Sequence, residues 1–207
     1  MVLEEHIRAG YCCVYLDDVC IWTKTDDPLE HLAKVEAVLA SLREHSLIAK
    51  GSKCEFFRTE MEFLGFMVGK DGVRPAPGKV EAVQQVPAPE TVSQLLSFLG
   101  MVGFFRNHIQ GFAEVSTPLT DLLRGVRHGR HRLPWSLDCD QSFRHLKEVL
   151  TTAPVLRHFD PTLRTVVHVD GSQNAVGAVL LQWEDGEETP RPVCILITQT
   201  PRSPVSI

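Results

Sequence analysis

The chain has 207 residues, 43% hydrophobic and 23% charged, with 21 Lys+Arg against 26 Asp+Glu for a formal net charge of −5. This is globular composition with room for one large or two small domains, and it excludes wholesale disorder. No apolar run reaches the roughly 18–20 residues that span a bilayer, and Met1-Val2-Leu3-Glu4-Glu5-His6 lacks the basic start and apolar stretch of a secretory leader. Six cysteines with no Cys-x-x-Cys pair form neither a disulfide framework nor a zinc module. The expectation is a reduced, intracellular protein with no membrane partner, in cytoplasm or nucleus without distinction. The acidic balance leaves any nucleic-acid contact to local patches. The best of these is residues 124–132, where Arg124, Arg127, Arg130 and Arg132 alternate with His128 and His131. That pattern serves a solvated loop and a phosphate-contacting one equally.

In chain order, Tyr11-Cys12-Cys13-Val14-Tyr15 and Val19-Cys20-Ile21-Trp22 are short β-prone runs flanking Leu16-Asp17-Asp18, which reads as a hairpin tip. Asp27 and Pro28 suit the cap and first position of a helix whose Leu29, Leu32, Val35, Val38, Leu39 and Leu42 predict one buried stripe. Strands are expected at Leu47-Ile48-Ala49, at Glu55-Phe56-Phe57 and over residues 62–68, the last turning at Lys70-Asp71-Gly72 into Val73. After the stiff Val86-Pro87-Ala88-Pro89, Thr91 suits the cap of a helix bearing Leu95, Leu96, Phe98, Leu99, Val102 and Phe105. A shorter helix is expected over 115–123. A third comes after Trp135, capped by Asp138 or Asp140 and carrying Phe143, Leu146, Val149 and Leu150. Beyond Ala153-Pro154 the pattern turns to strands at 165–169, 175–183 and 192–198, with a turn at Asp170-Gly171-Ser172 and a loose tail from 200. The first two of these strands are apolar on both faces, so one face of this sheet needs cover or stays exposed.

Adjacent carboxylates at a hairpin tip have a chemical use. Two Mg²⁺ ions about 4 Å apart can hold the attacking and leaving oxygens of a phosphoryl displacement, and Asp oxygens are the hard ligands they take. Asp-Asp is also ordinary turn chemistry, and pattern alone leaves the choice open.

Tyr15-Leu16-Asp17-Asp18 with Val19-Cys20-Ile21-Trp22 resembles the Tyr-x-Asp-Asp hairpin of reverse transcriptases. The downstream sequence is similar, in order, to the Pol polyproteins of Gypsy-class LTR retrotransposons. The matching motifs are Glu30-His31-Leu32, Lys53-Cys54-Glu55-Phe56, Phe63-Leu64-Gly65, Phe98-Leu99-Gly100, Phe104-Phe105-Arg106-Asn107-His108-Ile109, Ala153-Pro154-Val155-Leu156 and Val169-Asp170-Gly171-Ser172 with Gly177-Ala178-Val179-Leu180. Each is weak alone; their shared order is specific. The resemblance implies a mixed α/β (α+β) chain. It would comprise the second half of a polymerase palm with the start of the thumb over 1–86, a helical thumb and connection over 87–152, and the first strands of an RNase H-like fold over 153–207. It further implies templated deoxynucleotide addition with an RNA or DNA template–primer as partner and Mg²⁺ as cofactor. Asp17 and Asp18 would be catalytic metal ligands, Tyr15 would lie beside nucleotide and primer, and Phe63-Leu64-Gly65 would position the primer end. Asp170 would be the first metal ligand of RNA–DNA hybrid cleavage. The resemblance assigns no role to the arginine-rich segment.

Two departures matter. The family's third polymerase carboxylate and its fingers belong upstream of the hairpin, where Glu4 and Glu5 are the acids present. The remaining RNase H carboxylates belong beyond the third strand. Glu184, Asp185, Glu187 and Glu188 lie between strands, and Gly171 stands where Ala is usual. The expectation is a piece of such a polyprotein, inactive alone. The alternatives are a domesticated non-catalytic interaction or nucleic-acid-binding protein, and a degenerate reading frame.

Overall fold

The computed structural model describes residues 2–124, 133–171, 175–183, 186 and 189–199, with backbone alone at 170, 171, 175–177 and 196–199. The chain divides into two units, Met1–Phe63 and Leu64–Ile207.

In the first unit the β-prone runs pair as expected. β1 (Cys12–Tyr15) and β2 (Asp18–Ile21) are antiparallel, with Cys12 opposite Ile21 and Tyr15 opposite Asp18. Asp18 therefore opens a strand, and the turn proper is Leu16-Asp17. Helix α1 (Glu4–Arg8) precedes the hairpin. Helix α2 (Pro28–Glu44) comes after it, with the Asp27 carboxylate accepting from Leu29 N–H at 2.9 Å and Pro28 in the first turn. Leu3, Cys12 and Val38 form the buried centre, flanked by Ile7, Val14, Val19 and Leu42. The expected stripe on α2 is only partly buried: Val35 and Val38 are covered, while Leu29 is 72% exposed and Leu32 38%. A 17-residue helix runs about 25 Å, whereas four-residue strands run about 13 Å, so the first turns of α2 extend beyond what the hairpin can cover. Residues 47–49 and 55–57 are not strands. Ile48 is 95% exposed, and Phe57 has φ 54°, left-handed backbone that cannot continue an extended run. A 3-10 turn (Gly51–Lys53) lies between them, and β3 (Glu60–Phe63) ends the unit.

The second unit begins at a break that the residue pattern did not reveal. Residues 62–68 do not form one strand, because Leu64 (φ 52°) and Gly65 (φ 81°) are left-handed and end β3 before β4 (Phe66–Gly69) begins. The hairpin of β4 with β5 (Gly72–Pro75) around Lys70-Asp71 is as expected, with Gly69 opposite Gly72. Helix α3 (Pro77–Gln85) was not anticipated, although Pro77 at its first turn is a start signal.

Helix α4 (Val92–Phe104) starts in a capping box. Thr91 accepts from Gln94 N–H, and the Gln94 side chain accepts from Thr91 N–H. After a 3-10 turn (Arg106–His108) comes α5 (Phe112–Asp121), earlier than the expected 115–123. Helix α6 (Leu137–Thr151) is capped by Ser136, not by Asp138 or Asp140. Those two carboxylates sit inside the first turn, where the helix dipole favours negative charge. Leu95, Phe98 and Val102 of α4 meet Phe143, Leu146 and Leu150 of α6 in one core with Val83, Ile109 and Leu119.

Strands β6 (Thr165–Gly171), β7 (Ala175–Gln182) and β8 (Arg191–Gln199) form an antiparallel sheet in that order. The expected turn at Asp170 and Gly171 is instead the end of β6; residues 172–174 and the tail from 200 lie outside the described residues. Val179, Leu181 and Ile195 line a cavity of about 540 Å³ with His108, His145 and Val149. Opposite Leu180 and Ala178 in register stand Val167 and Val169, which are 55% and 65% exposed. The sheet thus carries an uncovered apolar patch, as its two-sided apolar strands implied. Gln182, wholly buried, accepts from Asp160 N–H and donates to Asp160 C=O and Thr165 Oγ1, so its amide is satisfied at both ends.

Candidate functional site

The β1–β2 tip presents its chemistry outward. Tyr15 is 56% exposed, Leu16 85%, and Asp17 and Asp18 are both exposed. Neither carboxylate forms an ion pair among the described residues. Leu16 holds φ 53°. A bulky residue in left-handed backbone costs on the order of 1–3 kcal/mol, a cost that persists where the surrounding structure over-determines the turn. Leu64 has the same left-handed conformation (φ 52°) in the second sequence-predicted segment. Both strained leucines thus sit in motifs singled out for function.

Below the tip, the root of the hairpin is fixed by a contact the sequence did not reveal. His6 is buried, with Nδ1 hydrogen-bonded to the Tyr11 hydroxyl at 2.5 Å and Nε2 to the Ser41 hydroxyl at 2.7 Å. One imidazole therefore ties α1, the start of β1 and α2 together. On the hairpin itself, burial pushes the Cys20 thiol up to about 11, helped by the neighbouring Cys13.

In the second unit, Gly65 C=O accepts from Ala76 N–H at 3.0 Å, which anchors the Leu64-Gly65 turn to the junction of β5 and α3. A Cβ on Gly65 would stand 3.4 Å from Phe104 and 3.5 Å from Lys79. Phe66, next in the chain, stacks on Phe104 and on His108 with centroids 5.1 and 5.4 Å apart and meets Phe105 edge-on. Phe104-Phe105 and His108 thus form the platform behind this turn. Of the other site candidates, Phe63 is half-buried at the end of β3 and Leu64 is exposed. Asp170 lies on β6 with its backbone opposite Gly177. Arg124 is held by Asp121, Nε to Oδ1 2.9 Å; Arg127, Arg130 and Arg132 lie outside the described residues.

His108 gives this region a pH dependence. Its Nε2–H donates to Val73 C=O at 3.2 Å, Nδ1 has no partner among the described residues, and burial holds the imidazole below its ordinary range. A second proton would go to Nδ1, where no acceptor stands. The unfolded chain takes that proton near pH 6.5 and the folded one only at lower pH. Stability is therefore full above about pH 6.5 and falls as pH drops from there toward the folded-state value. Urea midpoints measured between about pH 7 and 5 should decline less in His108→Gln than in the parent; parallel declines would remove His108 as a cause.

The chain's similarities agree with this geometry. Residues 2–68 match the family described as reverse transcriptase (RNA-dependent DNA polymerase). Residues 135–202 match the RNase H-like domain found in reverse transcriptase. The fold is similar to that of part of foamy viral protease-reverse transcriptase. One such structure, in complex with double-stranded DNA, gives a TM-score of 0.81 at 23% identity, over 97% of this chain and 34% of that one. Another, with an RNA/DNA hybrid, gives 0.79 at 24% identity, over 97% and 26%. A reverse transcriptase segment followed by an RNase H-like segment is the class these features define.

Among curated proteins, the chain is 36% identical to the Pol polyprotein of transposon opus from Drosophila melanogaster, over 91% of this chain and 19% of that protein. It is 32% identical to that of transposon gypsy from the same organism, over 87% and 18%. It is 33% identical to the Tf2-3 polyprotein of Schizosaccharomyces pombe, over 90% and 14%. Over about nine-tenths of its length the chain is thus similar to retrotransposon Pol polyproteins, with a reverse transcriptase segment and an RNase H-like segment. It spans a fifth or less of the length of the curated relatives it matches.

Reverse transcriptase and RNase H-like families generally use divalent metal ions. Mg²⁺ is ordinarily held by one or two carboxylates with substrate phosphates completing its shell. Asp17 and Asp18 fit it in donor type and number; among the described residues no group of three or more His, Cys, Asp or Glu side chains forms a closed cage. No helix among the described residues is long and apolar enough to cross a membrane.

Proposed function

We propose that this chain supplies the catalytic hairpin and the primer-positioning turn of an RNA-directed DNA polymerase, together with the opening strands of its ribonuclease H. The observation that carries the reading is the pair of exposed carboxylates, Asp17 and Asp18, at a strained hairpin tip next to exposed Tyr15, within sequence of the reverse transcriptase family. Asp17 and Asp18 hold Mg²⁺, which when bound neutralises the phosphate charge of the incoming nucleotide. Tyr15 packs beside the nucleotide and primer terminus. Phe63, Leu64 and Gly65 place the primer 3′ end, and the partner is an RNA or DNA template–primer. Asp170 is the metal ligand that this chain contributes to hybrid cleavage. Two carboxylates bind the ion weakly without phosphate oxygens, so the chain binds metal when nucleic acid and nucleotide are present.

Titrating the chain with Mn²⁺, followed by electron paramagnetic resonance with a primer–template and deoxynucleotide present, tests this. Asp17→Asn should weaken Mn²⁺ binding by about tenfold or more, equivalent to about 1.4 kcal/mol or more, with nucleic-acid affinity retained. Binding indifferent to both Asp17→Asn and Asp18→Asn would overturn the assignment.

A further inference from the structure

Three sulfur atoms gather on one side of the β1–β2 hairpin. The register sets Cys13 directly opposite Cys20. Directly opposed side chains in an antiparallel pair share a face, with Cβ atoms about 4.5–5.5 Å apart. The Cys20 thiol donates to the Met61 thioether on β3, Sγ to Sδ 3.8 Å. Cys20 is buried, while Cys13 and Met61 are half-buried, so the group has a way in from solvent. Cys12, one residue along, turns to the opposite face and packs with Leu3 and Val38. All of these cysteines are free thiols.

We propose that Cys13, Cys20 and Met61 form a binding site for a soft monovalent metal ion, copper(I). Two thiols and a thioether are the ligands that select Cu(I) over harder ions. Zinc takes four nitrogen, sulfur or oxygen ligands, and no cluster of three His, Cys, Asp or Glu side chains exists among the described residues to provide them. Mg²⁺ demands oxygen. On binding, the Cys13 and Cys20 S–H bonds break, two protons pass to buffer, two Cu–S bonds form, and Met61 donates a sulfur lone pair. Nothing is oxidised or reduced. The ion would tie β3 to the hairpin that carries Asp17 and Asp18. The site does not depend on the polymerase reading, since its ligands are none of the residues used there.

The test is a titration of the reduced chain, under anaerobic conditions, with Cu(I) in competition with bicinchoninate. The parent should take up one equivalent. Outer-shell partners alone are commonly worth about 10–100-fold in metal affinity, so removing a ligand with Met61→Leu should weaken uptake by at least about tenfold, and Cys13→Ser by more. Met61→Leu nearly conserves volume and keeps the fold. Cys54→Ser and Cys194→Ser, at half-buried cysteines elsewhere, should bind as the parent does. A cross-strand disulfide would use the same two thiols but not Met61, so the Met61 variant separates the two. No uptake by the parent, or unchanged affinity in Met61→Leu and Cys13→Ser, would overturn the proposal.

Discussion

Gly72→Ala should destabilise the unit Leu64–Ile207 by about 3–5 kcal/mol. Gly72 has φ 130°, and a Cβ there would stand 2.1 Å from Leu156 C=O oxygen, 2.9 Å from its carbon and 3.1 Å from Arg157 Cα. All three are backbone atoms, which cannot swing aside as a side chain would. They belong to a strap that crosses the β4–β5 hairpin. Val73 N–H donates to Leu156 C=O at 2.7 Å and Leu156 N–H returns to Val73 C=O at 2.8 Å. The strap continues with Arg157 N–H donating to Pro192 C=O at 2.8 Å and His158 Nε2–H to Gly69 C=O at 2.8 Å. A methyl group at Gly72 separates the hairpin from the strap, breaks the paired bonds and leaves their polar groups competing for water, in addition to the backbone strain. Urea unfolding followed by tryptophan fluorescence, with Trp22 of the other unit replaced by Phe in parent and variant alike, checks this; a cost below about 1 kcal/mol would mean that the strap yields without loss.

Phe98→Ala should cost about 3–5 kcal/mol in the same unit, through lost burial and the cavity left behind. Phe98 is fully buried, its ring centroid 4.5 Å from that of Phe143, and Trp135 meets Phe143 edge-on at 5.9 Å. This is where α4 is held to α6. Lys147 adds a bond from Nζ to Val86 C=O at 2.8 Å while lying over the Phe143 ring. Leu96→Ala on the same helix is the control. Leu96 is 37% exposed and should lose far less. Equal losses in the two variants would contradict the placement of the core.

How much could be read from residues alone depends on how local each feature is. The Thr91 cap and the helical spacing of Leu95, Phe98 and Val102 are contained within one helix, so their pattern was sufficient. The tip at Asp17 and Asp18 was legible because two β-prone runs flank it; the metal-holding role proposed for it rests on the resemblance of the motif order to a family. Residues 47–49 and 55–57 misled because three apolar residues look the same whether or not a partner strand exists to receive their hydrogen bonds. The break after Phe63 was hidden because Leu64 at φ 52° runs against local preference, and the turn it makes with Gly65 is anchored by the bond from Ala76 N–H to Gly65 C=O, 11 residues away. The His6 clamp joins positions 5 and 35 residues apart. The sulfur group needs Met61, 41 residues from Cys20. Neither spacing has a periodicity to betray it.

The central claim, that Asp17 and Asp18 hold divalent metal at the β1–β2 tip, is tested most directly by mapping where a bound metal sits. Fe²⁺ in place of Mg²⁺, with ascorbate and peroxide and a primer–template present, cuts the polypeptide beside its binding site. The account predicts cleavage close to residues 15–20, suppressed by excess Mg²⁺ and lost in the Asp17→Asn, Asp18→Asn double variant. Cleavage confined to other parts of the chain, or undiminished in that variant, would contradict it.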